Sequence, residues 1–247
     1  MNITMHRFFI SKESLTGENA LITDEAVYQI SRVLRLKPGD HIIVLDNTGW
    51  EYEVAINVIK RDIVQGKVVK KERGIGEPKI NLIFYQALLK TDKFEFVLQK
   101  GVELGVNHFI PFVSKRCVVK KPSESRIQRW QNIIREASEQ SRRARLPALQ
   151  QVLPFEEACQ KVKKPALILW ESEKSRSLAD TLKTPGFHNA RTISIFVGPE
   201  GGFETEEIEL AGKSGIVPAG LGNRILRAET AGLVAISAIM YEKGELA

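Results

Sequence analysis

The sequence predicts two dissimilar parts, a small β domain with one helix and a larger α/β domain built on a parallel sheet. Three observations carry this. Residues 1–72 read mostly as short alternating strands between turn signals, with room for a single helix. Glu72-Arg73-Gly74-Ile75-Gly76-Glu77-Pro78 is a polar, Gly/Pro-containing break that separates a 1–72 domain from a 73–247 domain. Beyond it, apolar runs alternate with helical patterns, which implies parallel strands with helices on both sheet faces.

In the first part, Met5–Ile10 is a short apolar run. Thr23 is placed to cap a helix whose apolar positions Ala26, Val27, Ile30, Val33 and Leu34 share one face. Lys37-Pro38-Gly39-Asp40 turns the chain into a strand at His41–Leu45. Asp46-Asn47-Thr48-Gly49 is a hairpin signal. After it Trp50, Tyr52, Val54, Ile56 and Val58 face one side, with Glu51, Glu53 and Asn57 opposite. Val64–Val69 completes a small β barrel.

The second part predicts strands at Ile80–Leu88, Phe109–Val113, Ala166–Trp170 and Ile193–Val197. A helix over Phe94–Leu104 ends at Gly105. Ser123 caps a long helix with Ile127, Trp130, Ile133, Ile134 and Ala137 inward. Thr205 caps another, with Glu206 and Glu207 in its first turn, where the helix dipole favours them. The last helix, about Glu229 to Tyr241, is apolar nearly all round and is expected to be buried.

Composition excludes several classes. Hydrophobic residues make up 43% and charged residues 27%, as in an ordinary globular chain. Ala231–Met240, the longest strongly apolar stretch, is too short to span a bilayer, and Met1–Ile10 lacks a leader's apolar core; a cytoplasmic location is the expectation. Cys117 and Cys159 read as reduced, structural thiols. His6, His41, His108 and His188 are scattered, so no metal site is expected. A net charge of +6 favours a polyanionic partner without identifying it.

Two segments carry chemistry. Val197-Gly198-Pro199-Glu200-Gly201-Gly202-Phe203 follows a buried strand and precedes a capped helix, which is where open α/β sheets bind ligands. It lacks the Gly-Lys-Ser/Thr of a P-loop and the spacing of a dinucleotide fingerprint. A tight structural turn is the plainer reading, but three glycines and a proline within five residues favour a binding loop. Leu221-Gly222-Asn223-Arg224-Ile225-Leu226-Arg227-Ala228-Glu229-Thr230-Ala231 sets two arginines and a glutamate just ahead of the small-residue helix. Helix-end surface charge is the competing reading of Arg227 and Glu229.

Together these two segments resemble the SPOUT class of knotted methyltransferases, and within it the ribosomal RNA small subunit methyltransferase E family. Met5-His6-Arg7-Phe8-Phe9 and Val33-Leu34-Arg35-Leu36-Lys37-Pro38-Gly39-Asp40 resemble segments of that family's N-terminal domain. Gln99-Lys100-Gly101-Val102-Glu103-Leu104-Gly105-Val106 and Glu136-Ala137-Ser138-Glu139-Gln140-Ser141-Arg142-Arg143 resemble two of its helices. The likeness runs in order through nearly the whole chain. Gly101 and Ala228 stand where the family more often carries alanine and threonine.

The resemblance implies a PUA-like N-terminal barrel, a trefoil-knotted C-terminal domain, a homodimer, S-adenosylmethionine as methyl donor, and methylation at N3 of a uridine in small-subunit (16S) ribosomal RNA. It places Leu169, Trp170, Glu171, Gly198, Pro199, Glu200, Gly201, Gly202, Leu221, Gly222, Ile225, Leu226 and Arg227 at the donor. Arg227 or Arg224 is typed to stabilise a uracil anion, and Glu229 either orients an arginine or accepts the proton. Arg7, Arg32, Arg35, Lys37, Arg116, Arg142 and Arg143 are the cations expected to meet RNA phosphates.

Overall fold

The structure, a computed structural model, describes residues 5–23 and 25–246. The chain divides into two compact units. One holds the residues up to Glu77 together with Arg135–Leu146; the other holds Pro78–Ile134 and the chain from Pro147 onward.

In the first unit, β1 (Arg7–Phe9), β2 (Leu15–Thr16), β3 (Asn19–Ile22), β4 (His41–Leu45), β5 (Trp50–Ile59) and β6 (Val64–Arg73) form one sheet, ordered β1-β4-β5-β6-β3-β2. β1 runs parallel to β4, and the other pairs are antiparallel. The β4–β5 turn forms where its residues suggest: Asp46 Oδ1 accepts from the Thr48 N–H at 3.0 Å, and Asn47 takes φ 62°. Ile22, Ile30, Ile42, Val44, Val54, Ile56 and Val64 are nearly inaccessible and make the main core.

Two expectations here need correction. The helix is only one α turn, α1 (Glu25–Tyr28), followed by a π turn over Gln29–Val33. Leu34 N–H reaches Gln29 O at 2.9 Å, an i→i+5 closure. The extra residue per turn rotates the chain, so Val33, expected inside, is 61% exposed. Asp24, beside the cap expected at Thr23, lies outside the described residues, as do residues 1–4 of the N-terminal stretch. The polar face of β5 is also not all solvated. Glu51, opposite Leu45, is buried and pairs with Arg7, in the company of a second core of Phe9, Ile43, Leu45 and Ala144. Residues 135–146 close that side: Glu139 Oε1 accepts from Phe9 N–H at 3.0 Å, and Arg135 Nη1 donates to Phe9 O at 2.9 Å.

The second unit is a parallel sheet of β7 (Asn81–Ala87), β8 (His108–Val113), β9 (Ala148–Leu149), β10 (Leu153–Pro154), β11 (Ala166–Leu169), β12 (Thr192–Val197) and β13 (Ile216–Ala219). Its order is β10-β8-β7-β12-β11-β13, with β9 beside β8. The helices are α2 (Thr91–Glu103), α3 (Glu124–Gln140, whose last turns belong to the first unit), α4 (Phe155–Gln160), α5 (Leu178–Lys183), α6 (Pro185–His188), α7 (Thr205–Lys213) and α8 (Ala228–Glu242).

They cover both faces, as the alternation predicts. On one face Tyr85 stacks on Phe196 at 4.1 Å between centroids, and Phe112, Phe155 of α4 and Phe203 continue the aromatic layer. Phe84 looks to the other face, where α8 comes so close that a Cβ on Gly232 would lie 2.8 Å from its ring. The same test explains Gly101 in α2: a Cβ there would lie 2.8 Å from Phe109, so this chain's glycine fits the ring beside it. Ser123 caps α3 as expected, accepting from Arg126 N–H at 3.3 Å. For α7 the cap is Glu204 rather than Thr205, in a reciprocal capping box with Glu207. Helix α8 is also not buried all round, since Val234 is 43% and Tyr241 72% exposed. Both cysteines are buried and unpaired, and burial pushes the Cys159 thiol up to about 12. No helix among the described residues is long and apolar enough to cross a membrane.

Candidate functional site

β12, β11 and β13 are neighbours and parallel, so their carboxyl ends meet at one edge of the sheet. The loops leaving them converge there around a cavity of about 410 Å³. It is lined by every residue assigned above to the donor: Leu169, Trp170 and Glu171 after β11, Gly198–Gly202 after β12, and Leu221, Gly222, Ile225, Leu226 and Arg227 after β13. Segments far apart in the chain thus meet at one cavity.

Hydrogen bonds fix the loops to one another. Trp170 N–H donates to Ala219 O at 3.1 Å, Gly220 N–H to Arg176 O at 2.9 Å, and Leu178 N–H to Gly220 O at 2.9 Å. Gly220 is required, because a Cβ would lie 2.4 Å from Glu173 O. In the glycine loop, Gly202 takes φ 69° and its N–H donates to Pro199 O at 2.9 Å. Gln86 Nε2, in β7, reaches Gly198 O at 3.3 Å, and Arg116 Nη1 donates to Gly201 O at 2.9 Å. Beside it, the Lys115 ammonium holds the Glu204 carboxyl below the usual carboxylate range.

Arg224 and Arg227 both line the cavity, and neither makes an ion pair among the described residues. Glu229 is not part of the lining. Its Oε2 lies 3.4 Å from Lys93 Nζ, which also reaches Glu200 at 3.7 Å. Lys93 does line the cavity, and sequence reasoning missed it along with Lys174. Its one local signal is a cation in the first turn of α2, where the dipole disfavours it. The carboxylates that compensate come from residues more than a hundred positions away, so spacing could not reveal them. Glu200 does double duty, since its Oε1 also accepts from Lys90 N–H at 3.3 Å at the uncapped start of α2.

Of the cations expected at RNA, Arg32, Arg35, Lys37 and Arg142 are exposed. Arg116 is exposed but braces the glycine loop. Two are internal instead: the Arg7 side chain is 11% accessible and pairs with Glu51, and Arg143, 2% accessible, pairs with Glu77 at 3.0 Å. Among the described residues no three His, Cys, Asp or Glu side chains gather as metal ligands would.

A family model described as an RNA methyltransferase domain matches residues 76–240, and one described as an RNA methyltransferase PUA domain matches residues 30–69. The chain is 35% identical to the Ribosomal RNA small subunit methyltransferase E of Bacillus subtilis (strain 168), over 96% of this chain and 97% of that one. The chain belongs to the ribosomal RNA small subunit methyltransferase E family. The PUA match lies within its first unit, and the methyltransferase match takes in most of its second together with residues 135–146 of the first. A member of this family from Neisseria gonorrhoeae, crystallised bound to S-adenosyl methionine, superposes with a TM-score of 0.87 at 31% identity, covering 96% of this chain and 97% of that one. A Legionella pneumophila protein solved with the bound cofactor SAM gives 0.87 at 28% identity, covering 97% and 98%.

Proposed function

We propose that this chain transfers the methyl group of S-adenosylmethionine to N3 of one uridine in small-subunit (16S) ribosomal RNA, on the assembled subunit. The observation that carries it is the convergence of the three loops on one cavity whose wall holds two arginines with no carboxylate partner among the described residues. The lining suits the donor. Leu169, Leu221 and Leu226 offer apolar wall for a purine and ribose, and the bare main chain of the glycine loop offers peptide groups for their polar edges. Gly222, at φ 91° with open space where a Cβ would stand, keeps the third wall free of a side chain. Glu171 and Glu200 complement the donor's positive groups, and Lys93 and Lys174 its carboxylate.

When bound, the donor supplies an electrophilic methyl carbon on a sulfonium. The protein's task lies on the other side, because uracil N3 carries a proton at neutral pH and is a poor nucleophile. Its anion spreads charge over O2 and O4. A guanidinium offers a planar fork of donors to such an anion and stays charged at any working pH. Arg227 serves that role, with Arg224 beside it. Two cations in the cavity wall favour ionisation of N3, and its proton passes to solvent water, so no dedicated base in the lining is needed. Glu229, turned to Lys93, holds that lysine rather than an arginine or the N3 proton. Lys93 in turn ties Glu200 of the glycine loop to the first turn of α8, just after Arg227. The target base has to leave its stack to enter the cavity.

The reading extends to assembly. The second unit is a trefoil knot, a proposal supported by β13 following β12 in sequence yet lying beyond β11. Two copies pair through α8 in the cytoplasm. Val234, Ser237, Ala238 and Tyr241 follow helical i, i+3, i+4, i+7 spacing and leave an apolar stripe on one face. Light scattering on the full chain at micromolar concentration is expected to give a dimer, and Val234→Glu/Tyr241→Glu a monomer. A monomeric wild type contradicts this.

Transfer of label from S-adenosylmethionine to small ribosomal subunits tests the activity. Donor affinity, measured by calorimetry before and after chelator treatment, is expected to be unchanged. Binding that is lost on chelation and restored by a divalent ion would overturn the metal-free site.

A further inference from the structure

Charge is segregated across the end of the β5–β6 ribbon. Trp50 lies opposite Arg73, Glu51 opposite Glu72, Tyr52 opposite Lys71 and Glu53 opposite Lys70. The pleat therefore sends Trp50, Tyr52, Lys71 and Arg73 to one face, and all three carboxylates to the other. Those carboxylates are occupied there: Glu51 by Arg7, Glu53 by His41 Nδ1 at 2.6 Å, and Glu72 by Lys70 at 2.7 Å. On the first face the cations lie over rings instead. Arg73 Cζ is 4.1 Å from the Trp50 ring centroid, and Lys71 Nζ is 4.8 Å from that of Trp50 and 5.1 Å from that of Tyr52.

Lys71 and Arg73 are exposed, and neither has a carboxylate partner among the described residues. The Tyr52 ring beneath Lys71 is fixed, since its hydroxyl donates to Asp46 Oδ2 at 3.0 Å. The turn that opens the ribbon is braced from the other face: Arg145, in the segment that closes the Glu51 side, donates from Nη2 to Thr48 O at 3.0 Å. None of these residues lines the cavity of the second unit.

We propose that this face is a docking surface for a single-stranded stretch of RNA, distinct from the cations at Arg32, Arg35 and Lys37. The proposal rests on the RNA reading above and adds where on the first unit the strand runs. A guanidinium already stacked on an indole has given up much of its freedom, so little is lost when a ligand arrives. Its outer plane can stack an unpaired base while its edge still donates to phosphate. Lys71 supplies a further phosphate contact along the ribbon. Paired bases hide their faces, which is why a single strand fits and a duplex does not. An acidic protein surface would use the charges but leave the stacking plane idle.

The test uses the full-length protein, a single-stranded oligouridylate of a dozen nucleotides, and a duplex of equal length. Affinity is measured over a range of salt. Lys71→Ala/Arg73→Ala is expected to weaken oligouridylate binding about tenfold and to flatten the salt slope by roughly 1.4 units, at about 0.7 per phosphate contact on a single strand. Donor affinity and melting temperature are expected to hold. Arg73→Lys restores the slope but not the full affinity, because an ammonium has no plane to stack. If Lys71→Ala/Arg73→Ala binds oligouridylate with unchanged affinity and slope, the proposal falls, while an effect of Arg32→Ala/Arg35→Ala/Lys37→Ala in the same assay leaves the RNA reading standing. Wild-type protein that binds donor but no RNA removes both. Equal competition by duplex or by polyglutamate reduces the face to a general anion patch and overturns the proposal.

Discussion

Arg227→Ala is expected to bind S-adenosylmethionine with near-normal affinity and to lose about 100- to 1,000-fold in methyl transfer, the usual cost of removing one contact to a developing anion. A purely structural role would give a different result. Had Arg227 been held by Glu229, its loss would loosen the loop, weaken donor binding and lower the melting temperature together. Glu229 faces Lys93 instead, and Arg227 makes no ion pair among the described residues. Single-turnover transfer at saturating donor, beside calorimetric donor affinity, distinguishes the outcomes. Normal turnover once donor saturates would remove Arg227 from the chemistry.

Gly202→Val is expected to act on the other side of the reaction. At φ 69° a β-branched residue is strained, and its Cβ would start 2.6 Å from Glu171 Oε1. Glu171 is exposed and can swing aside, so the backbone is the larger problem. Strain of about 1–3 kcal/mol must be relieved by moving the loop. Moved peptide groups no longer match the donor, and affinity drops roughly 5- to 150-fold. Gly39→Val is the control: Gly39 sits at φ 98° in the first unit, with nothing within 4 Å of its Cβ position. It carries comparable strain and is expected to leave donor affinity unchanged. Equal losses of donor affinity in both variants would mean that general destabilisation, not loop geometry, is being read.

Two walls of the cavity were legible because each is local, while Leu169-Trp170-Glu171 came only from the family resemblance. A glycine loop between an apolar strand and an acidic helix start announces itself within seven residues, and so does an arginine pair ahead of a helix of small residues. What escaped depends on one extra residue, on distance, or on a strand too short to show a pattern. The π turn at Gln29–Val33 alters the helical phase by one position, which periodicity averages away. Glu51 alternates as a surface residue should, and only residues 135–146 turn its face inward. Arg7 and Arg143 read as surface cations because their carboxylates, Glu51 and Glu77, are 44 and 66 positions away. Lys93 was invisible for the same reason. The strand Ile216–Ala219 was missed because it is four residues long and contains Pro218.

Small subunits incubated with labelled S-adenosylmethionine and the protein, then digested to nucleosides and resolved by mass analysis, test methylation at uracil N3 most directly. The account predicts label in N3-methyluridine alone, from a single position in the ribosomal RNA. Label on a ribose hydroxyl or a purine, or RNA binding with no labelled nucleoside at all, would contradict it.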